Sequence, residues 1–168
     1  MNDWCLRTYG DPCRGCGFTW AMRPTDAIVY VEQLPGLYSN LIGFSDGRSR
    51  HPDLAWTSGE YVCHVVDNLR IWAERLAAAA RGSTAPIGAY DSDLLRAARQ
   101  YDAVPIEGAL WSLGPAVDTW RSAVDLARVM SPLLHHPQRG PLEVDDIILS
   151  NAHDSHHHAW DIERSIST

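Results

Sequence analysis

The sequence contains no lysine; all fourteen of its basic residues are arginine. That excludes Schiff-base chemistry, which needs a lysine amine. There is no basic excess either. With a formal net charge of −7, nucleic acid is not expected as a main partner, because phosphate neutralisation needs a basic face. No apolar run is long enough to cross a bilayer, and the stretch Met1 to Arg7 has no basic region followed by an apolar one. No membrane partner is expected, and a cytoplasmic location follows by default. Internal repeats are absent, and the alanines at 77–80 read as helix. Cysteine is sparse, with four residues, Cys5, Cys13, Cys16 and Cys63. In a reducing compartment these read as thiols or metal ligands rather than bridges.

What is present fits one domain. The chain has 168 residues, 45% of them apolar and 21% charged, enough for a substantial core. Residues 1–24 carry Gly10, Pro12, Gly15, Gly17 and Pro24 without clear periodicity and read as an irregular N-terminal segment. Helical spacing of apolar residues then predicts a helix over about 25–42, bent at Pro35. A second follows the capping box Thr57-Ser-Gly-Glu60 and stops at Gly82. A short helix is expected over 91–99, and long ones over about 106–130, with Gly114-Pro115 placed to kink it, and about 144–165. No segment alternates convincingly as a strand. The prediction is an all-α four-helix bundle over residues 25–168.

Four of the eight histidines fall within six consecutive positions, in Asn151-Ala-His153-Asp-Ser-His156-His157-His158. On a helix His153 and His157, at i and i+4, lie one above the other and can share a metal ion. The interruptions at Asp154, Ser155 and Ala159 distinguish the run from a simple tag. His51 and the pair His135-His136 sit in Pro-containing loops and read as solvent-exposed. His64 lies inside the second long helix among valines, and bundles build metal sites from facing helices. Three protein ligands leave a coordination position open, the mark of a catalytic rather than a structural site.

Trp56-Thr-Ser-Gly-Glu-Tyr-Val-Cys-His64-Val-Val-Asp-Asn-Leu-Arg70, followed by the histidine run, resembles the DinB/YfiT-like metalloenzyme family over about residues 25–165. The resemblance implies a four-helix bundle holding a metal through His64, His153 and His157, with His156 an alternative ligand. The implied ion is divalent, zinc first, with nickel, iron or manganese compatible. Better-understood members are similar to thiol S-transferases that use mycothiol or bacillithiol, and a mycothiol-dependent maleylpyruvate isomerase is related.

The expected function is therefore a metal-dependent enzyme acting on a small molecule, in which an activated thiol attacks an electrophile. The alternatives are a hydrolase or lyase using activated water, and a metal- or ligand-binding bundle without catalysis. Asp67 and Asp154 are candidates for orienting imidazoles or moving protons, though both also read as solvated helix carboxylates. Arg70 and Arg139 can bind a substrate carboxylate, and Trp72, Trp111 and Trp160 can line a pocket or fill core. A tryptophan-rich bundle can also expose an apolar face to a second copy, making a homodimer plausible.

Cys13-Arg-Gly-Cys16-Gly17 has the form of a zinc knuckle. Three readings stand: free or regulatory thiols, a second structural zinc completed by Cys5 and a histidine, and a redox pair. Cys63 adjoins His64 but diverges from it by about 100° on a helix, so it reads as core.

Overall fold

A computed structural model describes residues 3–167. Its elements are α1 (Asp3–Tyr9), α2 (Pro24–Glu32), α3 (Leu34–Ile42), α4 (Ser58–Ala80), α5 (Ser92–Arg99), a 3₁₀ turn (Tyr101–Ala103), α6 (Ile106–Met130), β1 (Leu134–His136), β2 (Gly140–Leu142) and α7 (Val144–Ile166). The bundle's rods are the α2–α3 pair, α4, α6 and α7. Among them α4 packs most extensively on α6, and α7 lies against α2, α3 and α4. None of the described helices is long and apolar enough to cross a membrane.

Local sequence sets the rod ends. The bend expected at Pro35 is a full break, with Gln33 closing α2 and opening α3; proline lacks the N–H that would tie α3 back to the preceding turn. At the start of α4 the Thr57 hydroxyl accepts the Glu60 N–H at 3.3 Å, and the Glu60 carboxylate accepts the Thr57 N–H at 2.7 Å. Arg96 of α5 closes on the same carboxylate. Thr57→Ala is expected to lower unfolding free energy by about 1 kcal/mol in a denaturant titration; no change would mean that the cap is redundant. α6 runs unbroken through Pro115.

The centre is filled by Leu34, Tyr38, Leu69, Leu76, Leu113, Trp120, Ile148 and Ile162, all fully buried. Its polar atoms are satisfied: Trp120 Nε1 donates to Asn151 Oδ1 at 2.9 Å and the Tyr38 hydroxyl donates to the Ser155 carbonyl at 2.7 Å.

Two elements depart from the sequence reading. The N-terminal segment is not wholly irregular, because α1 forms and is held by packing of Trp4, Cys5, Leu6 and Tyr9 on the core. The connection after α6 contains an antiparallel hairpin pairing Leu134 with Leu142 and His136 with Gly140. Three residues per strand are too few for alternation to show.

Candidate metal centre

α7 presents its histidines in two stripes. Its core stripe is Ile148, Ala152, Ser155 and Ile162, all fully buried. His153 and His157, at i and i+4, flank it on one side. Asp154, His158 and Asp161 share the next face, about 100° further round, on the other side of the core stripe. The first set meets the N-terminal segment and the second meets α4.

His64 of α4 therefore meets the second stripe. One donor atom each from His64, Asp154 and His158 lies within 4.8 Å of the others. His64 Nε2 is 3.6 Å from one Asp154 oxygen, and His158 Nε2 is 3.8 Å from the other. Both distances exceed a hydrogen bond. They are close to the spacing of neighbouring ligands around one ion, since bonds of about 2.0–2.2 Å in a tetrahedron put donor atoms roughly 3.4 Å apart. The three groups fit a divalent metal.

The surroundings orient these donors. Asp161, itself buried, lies 3.0 Å from His158 Nδ1, the carboxylate–imidazole arrangement that fixes the tautomer and turns Nε2 toward an ion. Asn68, one turn beyond His64, donates to Asp154 Oδ2 at 2.8 Å and accepts the Tyr90 hydroxyl at 3.0 Å. Desolvation alone would raise the Asp154 carboxyl; the charges of His158 and His64 outweigh it and hold the group below the usual carboxylate range. Desolvation pulls His158 down, and Asp154 and Asp161 more than reverse this.

The donors open onto a cavity of about 300 Å³ whose lining includes Trp56, Trp72, Arg75, Tyr90, His136 and Arg139. Arg139 stacks over the Trp4 ring at 4.5 Å and reaches Ser150 Oγ at 2.9 Å. His136, expected in solvent, is buried and accepts the Gln138 and Arg139 N–H groups through Nδ1.

The expected ligand trio of His64, His153 and His157 is not brought together. His153 and His157 converge instead with Cys13 and Cys16, with one donor atom from each of the four within 4.8 Å of the rest. His158 and Asp154 take the places expected for them beside His64. The i, i+4 pair at 153 and 157 is visible in the sequence, and Asp154 and His158 have the same spacing. His156 joins neither group and faces Phe18 and Tyr30.

Asp67 also lies elsewhere. Its buried carboxylate accepts the Tyr101 hydroxyl at 2.6 Å and pairs with Arg99 at 3.1 Å and Arg70 at 3.8 Å. The residue sharing the face of His64 is Asn68, about 100° round from Asp67. Asp67→Asn is expected to cost on the order of 1–3 kcal/mol of stability while metal content stays unchanged; loss of metal would return Asp67 to the site. Arg70 is thereby a structural partner, whereas Arg139 and Trp72 do line the cavity. Trp111 is 75% exposed, and Trp160 packs beside His157. Cys63 is buried beside Asp67, away from the cavity. Cys5 does not join the other N-terminal thiols: α1 turns it toward Ser150 and Arg139, and burial raises its thiol.

Comparison with known proteins agrees with this architecture. YfiT from Bacillus subtilis, described as a probable metal-dependent hydrolase with an unusual four-helix bundle topology, superposes with a TM-score of 0.72 at 18% identity, covering 86% of each chain. At that identity the likeness shows the fold alone. No curated protein matches the chain. The family model of the DinB superfamily matches residues 42–162, which include α4, His64 and the whole histidine run, and the chain belongs to that superfamily.

Proposed function

We propose that the chain is a metal-dependent enzyme acting on a small anionic molecule, with His64, Asp154 and His158 holding the ion, zinc in the first instance. The observation that carries this reading is the convergence of those three donors, within 4.8 Å, on a polar cavity. Three protein donors leave room for an exogenous ligand. A divalent ion there supplies Lewis acidity, lowering the pKa of a water or thiol toward neutrality.

The chain's own residues do the rest. Asp161 keeps His158 in one tautomer, and Asn68 holds the Asp154 carboxylate against rotation. Arg139 and Arg75 put two guanidinium groups on the cavity wall, where a carboxylate or phosphate can be gripped in a fixed orientation. Trp56 covers His64, with ring centroids 5.2 Å apart, and limits solvent access. At about 300 Å³ the cavity is at the small end for ligand sites, which favours a compact substrate attacked by water.

A second reading is thiol transfer, with a low-molecular-weight thiol such as mycothiol as co-substrate. The sequence resemblance supports it, and the two arginines suit a thiol that carries a carboxylate. Turnover of a panel of carboxylate- and phosphate-bearing esters, amides and electrophilic alkenes, with and without added thiol, distinguishes the two. Thiol-independent turnover abolished by chelation and restored by zinc is the expected outcome. Strict dependence on thiol would establish transfer, and turnover indifferent to chelation would reject a metal enzyme.

A further inference from the structure

We propose that Cys13, Cys16, His153 and His157 form a second, closed zinc site that clamps the N-terminal segment onto α7. A Zn–S bond of about 2.3 Å and a Zn–N bond of about 2.0–2.1 Å put sulfur and nitrogen roughly 3.6 Å apart in a tetrahedron. Cys13 Sγ lies 3.7 Å from His157 Nδ1. His153 is 4% exposed and its Nε2 has no hydrogen-bond partner. A buried imidazole nitrogen without a partner is costly, and a ring nitrogen of His153 lies within 4.8 Å of donor atoms of two thiols and a second imidazole, which points to a ligand.

The chain between the cysteines is shaped for such a site. The Gly17 N–H donates to the Cys13 carbonyl at 2.9 Å and the Cys13 N–H to the Phe18 carbonyl at 2.7 Å. Gly17 has φ +75°, a conformation that side-chain-bearing residues rarely adopt. A Cβ on Gly15 would stand 2.8 Å from His157 Cε1, so glycine lets the loop backbone press against the imidazole.

Four protein donors fill a tetrahedron, so this site binds no substrate. Two thiolates select zinc over magnesium, calcium or manganese. Binding displaces both thiol protons. A plain redox pair would use the two sulfurs but give no reason for two imidazoles to converge on them from the far end of the chain.

The clamp also builds part of the cavity. Tyr9 packs on the His153 ring at 4.5 Å and lines the cavity that His64 opens onto. Trp4, in the same helix, supports Arg139. Fixing residues 13–16 to α7 thus fixes α1.

The test uses full-length protein purified without a histidine tag, stripped by chelation and reloaded with Co²⁺. A near-ultraviolet thiolate-to-cobalt charge-transfer band is expected in the wild type, retained in full in His64→Ala and weakened or lost in Cys16→Ser, which keeps one thiolate. Wild-type protein without that band, or Cys16→Ser with it undiminished, overturns the proposal. Because Cys16→Ser can compromise folding, a second measurement uses the wild type alone. Zinc is expected to shield two thiols from an aromatic disulfide reagent and to slow amide exchange over residues 3–20, and chelation to reverse both. Equal thiol reactivity with and without zinc, or a Cys13–Cys16 disulfide in freshly reduced and zinc-loaded protein, overturns it. Retention of the band in His64→Ala separates this site from the cavity site.

Discussion

His64→Ala is expected to empty the cavity site, weakening metal binding there by more than the roughly 10–100-fold that loss of an orienting partner costs, and to reduce turnover at least as much. Of the three donors only His64 comes from α4, so its loss leaves Asp154 and His158 as a two-residue remnant on one helix. Two donors hold zinc poorly, and the Asp154 carboxylate loses one of the imidazoles that stabilise its charge. His153→Ala is the informative control. Its ring lies among Tyr9, Phe18 and Trp20 on the other stripe of α7, so the cavity metal should remain. Isothermal titration with zinc reads both. Loss of the cavity metal from both variants would mean a shared ion and restore the trio suggested by the sequence.

Asp161→Asn should weaken zinc at the same site by roughly 10–100-fold without touching a ligand. The carboxylate is 3.0 Å from His158 Nδ1 and only 4% exposed, so its charge acts on the imidazole with little screening by water. Asparagine keeps the shape and an acceptor oxygen but removes the charge that makes His158 a better donor. Titration at alkaline pH, where the imidazole carries no competing proton, isolates that effect. Unchanged affinity would show that His158 is oriented by the backbone and packing alone, and would reduce Asp161 to a buried structural acid.

The features legible in the sequence were those fixed by nearby residues. The capping box at Thr57 and Glu60 involves neighbours three apart, and its geometry is as the pattern predicts. The apolar spacing in α4, α6 and α7 marks the faces that fill the core. The ligand sets were a different matter. Periodicity shows that His153 and His157 share a stripe, and equally that Asp154 and His158 share one. Which stripe meets α4 depends on the rotation of one rod against another, settled by packing around Trp120, Tyr38 and Ile162. The destination of Cys13 and Cys16 was hidden for a similar reason, because their partners lie at the other end of the chain. Helix α1 is short and followed by Gly10 and Pro12, so its order comes from Tyr9 and Trp20 packing on His153 rather than from propensity.

The most direct test of the cavity site is an anomalous-difference map at the zinc absorption edge, from crystals of protein reloaded with zinc. A peak is expected between His64 Nε2, an Asp154 carboxylate oxygen and His158 Nε2, facing the space beside Arg139 and Tyr90. A map with density at the cysteines and nothing near His64, or one whose peak joins His64 to His153 and His157, would contradict it.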